Sequence, residues 1–184
     1  MMNSSWEGDR VRLRGVRAED WESFVAWDAD SDAQRYGWMI FPPQGIEAAK
    51  SWAREQSERR PGDDEARFVI ETLGGTPVGS IKVHNSDRVN RRFEYGIGLG
   101  REHWGHGYAE DALKLLFRFM FAERGYNKVN AWVYAYNERS RKMHEKLGMV
   151  LEGTARQTHF SGGEFHDEYF MGMTAAEFFE RYGK

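Results

Sequence analysis

Three places in the 184-residue chain carry residue types and spacings that can do chemistry. The first is Trp104-Gly105-His106-Gly107-Tyr108, a glycine-containing turn that opens an apolar helical stretch. Such a turn leaves backbone N–H groups unpaired and pointing outward, and the helix dipole adds partial positive charge, which suits a pyrophosphate. The second is Glu94, a carboxylate in a segment whose neighbouring alternate positions, Gly96, Gly98 and Gly100, have no side chain. The third is Asn137 with Ser140 and His144, where i, i+4 spacing sets a hydroxyl and an imidazole on one helix face. Cysteine is absent, which excludes a thiolate nucleophile, a disulfide framework and cysteine-ligated zinc. His103 and His106 could suggest a metal pair, but no third ligand stands at a workable spacing, so no metal is expected.

A lone G-x-G is most often only a turn, so its context decides its meaning. No Gly-Lys-Ser/Thr follows, which excludes a Walker loop, and Glu110 stands where a dinucleotide fingerprint would need its third glycine. Before the turn, Phe93, Tyr95, Ile97 and Leu99 alternate with Glu94 and the glycines, which predicts a strand with one apolar and one nearly bare face. A bulge could shift that alternation, and glycine there could equally serve close helix packing. After it, Ala109, Leu113, Phe117 and Phe121 form an i, i+4 row with Ala112, Leu116 and Met120 beside it, a helix ending near Arg124-Gly125.

The remaining elements frame this unit. Val11 and Leu13 predict a first strand, Arg17–Asp20 opens a helix through Trp27-Asp28, and Gln44 to Arg60 is a second helix. Asp28, Asp30, Asp32 and Trp38 fall in a stretch that reads either as a solvated inter-helix loop or as a substrate-facing loop where acids and aromatics hold a cationic amine. Arg67–Thr72 and Pro77–His84 pair across Gly74-Gly75, and Asn85 to Arg92 is a polar connection. Lys128 to Ala135 is a strand, and the helix capped by Asn137 stops at Gly148. Leu151–Phe160 and Glu164–Met173 form a last hairpin across Ser161-Gly162-Gly163, before an amphipathic tail over Ala175–Tyr182. Alternating strands and helices flanked by hairpins predict an α/β fold: a mixed, mainly antiparallel twisted sheet with helices on both faces.

Composition bounds the function. One domain over 1–184 is the expectation from length, and 40% hydrophobic residues with seven Trp exclude global disorder. A net charge of −3 without a basic stripe argues against nucleic acid as the main ligand. The first residues carry no apolar run, and no segment has about 18 uninterrupted apolar residues, so a soluble, cytoplasmic protein with no membrane partner is expected.

Four motifs in order resemble the GNAT superfamily of N-acetyltransferases, specifically its RimJ/RimL-like branch with the spermidine acetyltransferases. They are Glu94-Tyr95-Gly96, Trp104-Gly105-His106-Gly107-Tyr108-Ala109, Asn137-x-x-Ser140 with Glu145-Lys146-Leu147-Gly148, and Glu152-Gly153, within a resemblance running from about Val78 to Met173. Glu102 takes the first position of the superfamily's Gln/Arg-x-x-G-x-G pattern, as often happens in this branch, while His144 and Met149 stand where members usually carry Tyr and Phe. The resemblance implies a GNAT-like acyl-CoA N-acyltransferase fold and direct transfer of acetyl from acetyl-CoA to a primary amine: a protein N-terminus, a polyamine or another small amine. It implies that Trp104 to Ala109 hold the pyrophosphate, that the backbone of Ile97, Gly98 and Leu99 pairs with pantetheine, and that Asn137 and Ser140 complete the cofactor site. Glu94 is then the candidate base for the ammonium, unless it is only a surface carboxylate paired with an Arg such as Arg92. A backbone N–H near Ile97 or Gly98 would receive the oxyanion. Ser140, and after it His144, is the candidate donor to the departing thiolate. Homodimers are common among relatives. Two alternatives stay open: an acyl-CoA-binding or sensing module of the same fold, and a nucleotide-binding protein using the same turn.

Overall fold

The computed structural model describes residues 4–37, 39–60, 62 and 65–183. Its elements run β1 (Val11–Arg14), a 3-10 turn (Ala18–Asp20), α1 (Trp21–Asp28), α2 (Ser31–Gly37), α3 (Ile46–Glu58), β2 (Arg67–Thr72), β3 (Pro77–Asp87) and β4 (Arg92–Leu99). A 3-10 turn (Arg101–His103) leads to α4 (Tyr108–Arg118), which continues as a π-helical turn (Phe119–Glu123). Then follow β5 (Lys128–Tyr134), α5 (Glu138–Leu147), β6 (Val150–Ser161), β7 (Glu164–Thr174) and α6 (Ala175–Tyr182). The strands are ordered β1-β2-β3-β4-β5-β7-β6 in one seven-stranded sheet. It is mixed and mostly antiparallel, as the flanking hairpins predicted, with β4 and β5 parallel from Arg92↔Lys128 to Glu94↔Asn130.

By internal packing the chain divides into two compact units, Met1–Val83 with Gly96–Leu115, and His84–Tyr95 with Leu116–Lys184. In the first, Val11 and Leu13 of β1 are buried while Arg12 and Arg14 point the other way, both to Glu71 of β2 at 2.7 and 2.6 Å. Arg14 also pairs with buried Asp20 at 2.8 Å, so Glu71 and Asp20 each have a cationic partner. Phe24 of α1 packs edge-on against Trp27 and Trp52, with Val16 and Val69 completing that core.

The sequence reading of residues 28–38 as a loop is corrected here: Ser31–Gly37 is a helix. Asp30 explains it, since its carboxylate accepts the Ala33 N–H at 3.0 Å, as an N-cap does. Trp38 lies outside the described residues. The polar connection is also shorter than expected, because β3 continues through Asn85 to Asp87.

In the second unit, Phe93, Phe117, Phe121, Tyr126 and Phe178 interlock at ring-centroid distances of 5.4–6.2 Å. The apolar row read from the sequence is therefore the face that α4 and its π-turn bury. The β6–β7 hairpin closes through Gly162 and Gly163, both left-handed (φ 62° and 90°), the geometry that a two-residue hairpin turn requires.

Candidate active site

The alternation along β4 holds through its length. Phe93 and Tyr95 are buried, Ile97 and Leu99 half-buried, and Gly96 and Gly98 exposed. A Cβ built on Gly98 would meet no protein atom within 4 Å, so its face is open to another chain. Gly100 differs from the bare-face expectation: it is buried, and a Cβ there would sit 2.7 Å from the Trp27 indole nitrogen.

β4 feeds the glycine turn through the Arg101–His103 turn, where the Trp104 indole N–H donates to the Leu99 carbonyl at 3.0 Å. Gly105 and Gly107 both have positive φ, 81° and 78°, which side-chain-bearing residues rarely adopt. A Cβ on Gly105 would again meet nothing within 4 Å. The turn thus delivers its exposed backbone to the first turn of α4, beginning at Tyr108, with His106 stacked on the Tyr108 ring. Ala109 is half-buried in that first turn. Exposed left-handed glycines at a helix start are an arrangement that can take a phosphorylated ligand.

Glu94 is half-buried on β4 and accepts a hydrogen bond from the Asn85 side-chain amide at 3.0 Å. The suggested pairing with Arg92 is not what the structure shows; Arg92 reaches Asp87 instead, at 3.3 Å.

Asn137 caps α5, its side chain accepting the Ser140 N–H at 3.0 Å, and left-handed Gly148 (φ 97°) ends the helix. Ser140 and His144 are brought together. His144 Nδ1 lies 2.7 Å from the Ser140 carbonyl and 3.3 Å from its Oγ. A carbonyl only accepts, so Nδ1 carries the proton and Nε2 the lone pair. Nε2 is buried without a hydrogen-bond partner among the described residues, and the ring stacks on Tyr95 at 6.0 Å. Burial pushes the His144 pKa down to about 4, against the opposing pull of the Ser140 carbonyl.

That depression has a sign for stability. The unfolded chain protonates His144 near pH 6.5, the folded chain only near 4, so stability is lost as pH falls through that window. Between pH 7 and 4, the wild type is expected to lose up to about 3 kcal/mol more than His144→Phe in urea unfolding. Parallel pH dependences for the two proteins would refute the buried neutral imidazole.

Asp30 and Asp32 are engaged within the first unit. Arg101 grips Asp30 through two bonds of 2.5 and 2.6 Å and lies 3.8 Å from Asp32, which also pairs with Arg35. Arg101 holds the Asp30 carboxyl down at about 2. Asp28 is exposed, and its backbone carbonyl accepts from Gln34. Arg101 also stacks over Trp104 at 5.5 Å, and Tyr36 meets Trp104 edge-on, so α2 is tied to the glycine turn. No sequence motif marked Arg101, because its acidic partners Asp30 and Asp32 stand about 70 residues earlier in the chain.

Among the described residues, no group of three His, Asp or Glu side chains is disposed to hold a metal ion, and no helix is long and apolar enough to cross a membrane.

A GNAT acetyltransferase domain profile matches residues 10–150, covering β1 through α5 and every element of the site. The chain belongs to the GNAT acetyltransferase family. It is an acetyl-CoA-dependent N-acetyltransferase, and curated relatives that match over most of its length are named N-acetyltransferases. A Bacillus subtilis SPbeta prophage-derived uncharacterized N-acetyltransferase, YokL, is 33% identical over 174 residues, 94% of each chain. Spermidine N(1)-acetyltransferase of Escherichia coli K12 is 28% identical, over 88% of this chain and 84% of its own. Among solved structures, a GNAT-family acetyltransferase from Bacillus anthracis superposes with a TM-score of 0.77 at 23% identity, covering 92% of this chain and 98% of its own. The Vibrio cholerae spermidine N-acetyltransferase, solved with CoA and spermine, gives 0.78 at 19% identity, over 91% and 97%. At these identities the superpositions establish the fold.

Proposed function

We propose that this acetyltransferase moves the acetyl group of acetyl-CoA directly to a primary amine, without a covalent acyl-enzyme. The observation that carries this is the open backbone of Gly98 and of left-handed Gly105, which precede α4 on one short run of chain. Ile97 to Leu99 offer main-chain groups to pantetheine, and Trp104 to Ala109 offer N–H groups to the pyrophosphate.

The thioester supplies the activated acetyl group; the chain's own groups handle protons and charge. A primary amine arrives mostly as ammonium, and Glu94 takes its proton, directly or through a water. The freed nitrogen bonds to the thioester carbonyl carbon, and a backbone N–H at Ile97 or Gly98 receives the oxyanion. As the carbon–sulfur bond breaks, the thiolate takes the Ser140 hydroxyl proton; the acylated nitrogen sheds its second proton through water to restore that hydroxyl, and Glu94 returns the first to solvent. Ser140 is preferred over His144 because the imidazole is neutral, its Nδ1–H is committed to the Ser140 carbonyl, and Nε2 has no proton to give. Asn137 holds Ser140 by capping its N–H. Ser140→Ala is expected to lower kcat roughly tenfold or more, and His144→Phe far less. Full kcat in both variants would remove this helix from the chemistry.

The acceptor we favour is a small cationic amine, a polyamine first and a peptide N-terminus second. The spermidine acetyltransferases among the relatives support it, as does the acidic run Asp28, Asp30 and Asp32, although Arg101 already engages two of these acids. Thiol release from acetyl-CoA over a panel of polyamines, basic peptides, amino sugars and aminoglycosides tests the reading. Release with one amine class supports it. CoA binding without release from any amine would leave a binding module, and absence of CoA binding would overturn the role of the turn.

A further inference from the structure

The carboxylate that opens α4 does something that no motif announces. Asp111 is buried, and its oxygens accept three consecutive backbone N–H groups from the start of the chain: Asp9 at 3.3 Å, Arg10 at 2.8 Å and Val11 at 3.0 Å. The packing is close enough that a Cβ on Gly8 would lie 2.6 Å from the Asp111 carboxylate. The backbone of Arg10 is thereby fastened to the first turn of the helix that follows the glycine turn.

Its side chain is exposed and lies along that turn. Nη1 of Arg10 donates a long bond to the His106 carbonyl, at 3.4 Å, and Nε lies 3.4 Å from the position a Gly107 Cβ would take. The other guanidinium N–H groups have no acceptor among the described residues. The acids of the same helix turn do not oppose an anion there. Glu110 is paired with Lys114 at 2.7 Å, and the charge of Asp111 is turned inward onto its three N–H donors. What remains at the turn is the outward backbone and one anchored guanidinium, a planar fork matched to phosphate oxygens.

We infer that Arg10 is a phosphate-binding residue of this enzyme, contributing a charge-assisted pair to an anionic group of CoA, with Asp111 as the residue that positions it. The inference rests on the proposed role of the turn in holding the co-substrate. CoA offers two sources of the same chemistry, the pyrophosphate and the 3′-phosphate, and dephospho-CoA separates them.

The test compares the wild type, Arg10→Gln and Arg10→Lys by calorimetric CoA titration and by steady-state kinetics. Arg10→Gln is expected to weaken CoA binding and raise the KM for acetyl-CoA roughly ten- to a hundredfold, leaving kcat, the amine KM and Tm unchanged. Arg10→Lys restores part of the affinity, and the Gln variant shows a shallower salt dependence. A Gln penalty that persists with dephospho-CoA assigns the contact to the pyrophosphate; one that vanishes assigns it to the 3′-phosphate. Equal CoA affinity in the wild type and Arg10→Gln overturns the inference and leaves the cofactor reading intact. Failure of the wild type to bind CoA overturns both.

Discussion

Glu94→Gln lowers kcat for amine acetylation by roughly two to four orders of magnitude, with the CoA affinity and Tm of the wild type retained. Glutamine has the shape of glutamate and keeps an oxygen for the Asn85 amide, which sits 3.0 Å away, so the local hydrogen bond survives. What is lost is the capacity to take a proton from an ammonium whose pKa, for an alkylamine, lies near about 10. The variant depends instead on the small fraction of free amine in solution. Its rate should rise about tenfold per pH unit between pH 7 and 9, more steeply than that of the wild type. Steady-state rates on the best amine of the panel, measured over that range, decide the matter. A variant with undiminished kcat would place the base elsewhere on the chain and return Glu94 to the surface carboxylate that its position also permits.

The parts legible in the sequence are those set by local rules. The caps of α5 at Asn137 and Gly148, the glycine turn before Tyr108 and the apolar row of α4 all depend on residues within four positions of one another. A reader of one sequence can see these. The alternation of Phe93 to Leu99 was equally visible, because a strand with one bare face announces itself through glycine. What the sequence hid depends on distant partners. Whether His144 is a proton donor turns on burial beside Tyr95 and on the carbonyl it meets, neither of which spacing reveals. Asp30 looked like a ligand for a substrate cation because its partner, Arg101, is 71 residues away. Asp111 looked like one more acid in a helix's first turn until three N–H groups about 100 residues earlier were found on it. The helix over Ser31–Gly37 is a different case. Its Asp30 cap is local and readable, but the density of acids and the nearby aromatics and prolines favoured a loop.

Two glycines of the first unit should respond oppositely to the same added methyl group. Gly79 of β3 lies against β4 so closely that a Cβ on it would stand 2.2 Å from the Gly98 carbonyl oxygen and 2.9 Å from the Leu99 Cα. Those are main-chain atoms, which no rotamer change can move away. Gly79→Ala must therefore push the two strands apart, at a cost of about 3 kcal/mol and a Tm drop of about 10 °C. Gly98 faces the other way, into open space, and its backbone is not left-handed, so Gly98→Ala should melt within about 2 °C of the wild type. Its methyl group would instead occupy the room in which we place pantetheine, and CoA affinity should fall roughly tenfold or more. Thermal melts and CoA titrations of both variants separate the glycine that the fold needs from the one that the ligand needs. A Gly79→Ala protein with an unchanged Tm would contradict the close strand approach. A Gly98→Ala protein that bound CoA as well as the wild type would show that the bare face of β4 is not where the co-substrate lies, and Glu94, on that same face, would lose its argument as the base.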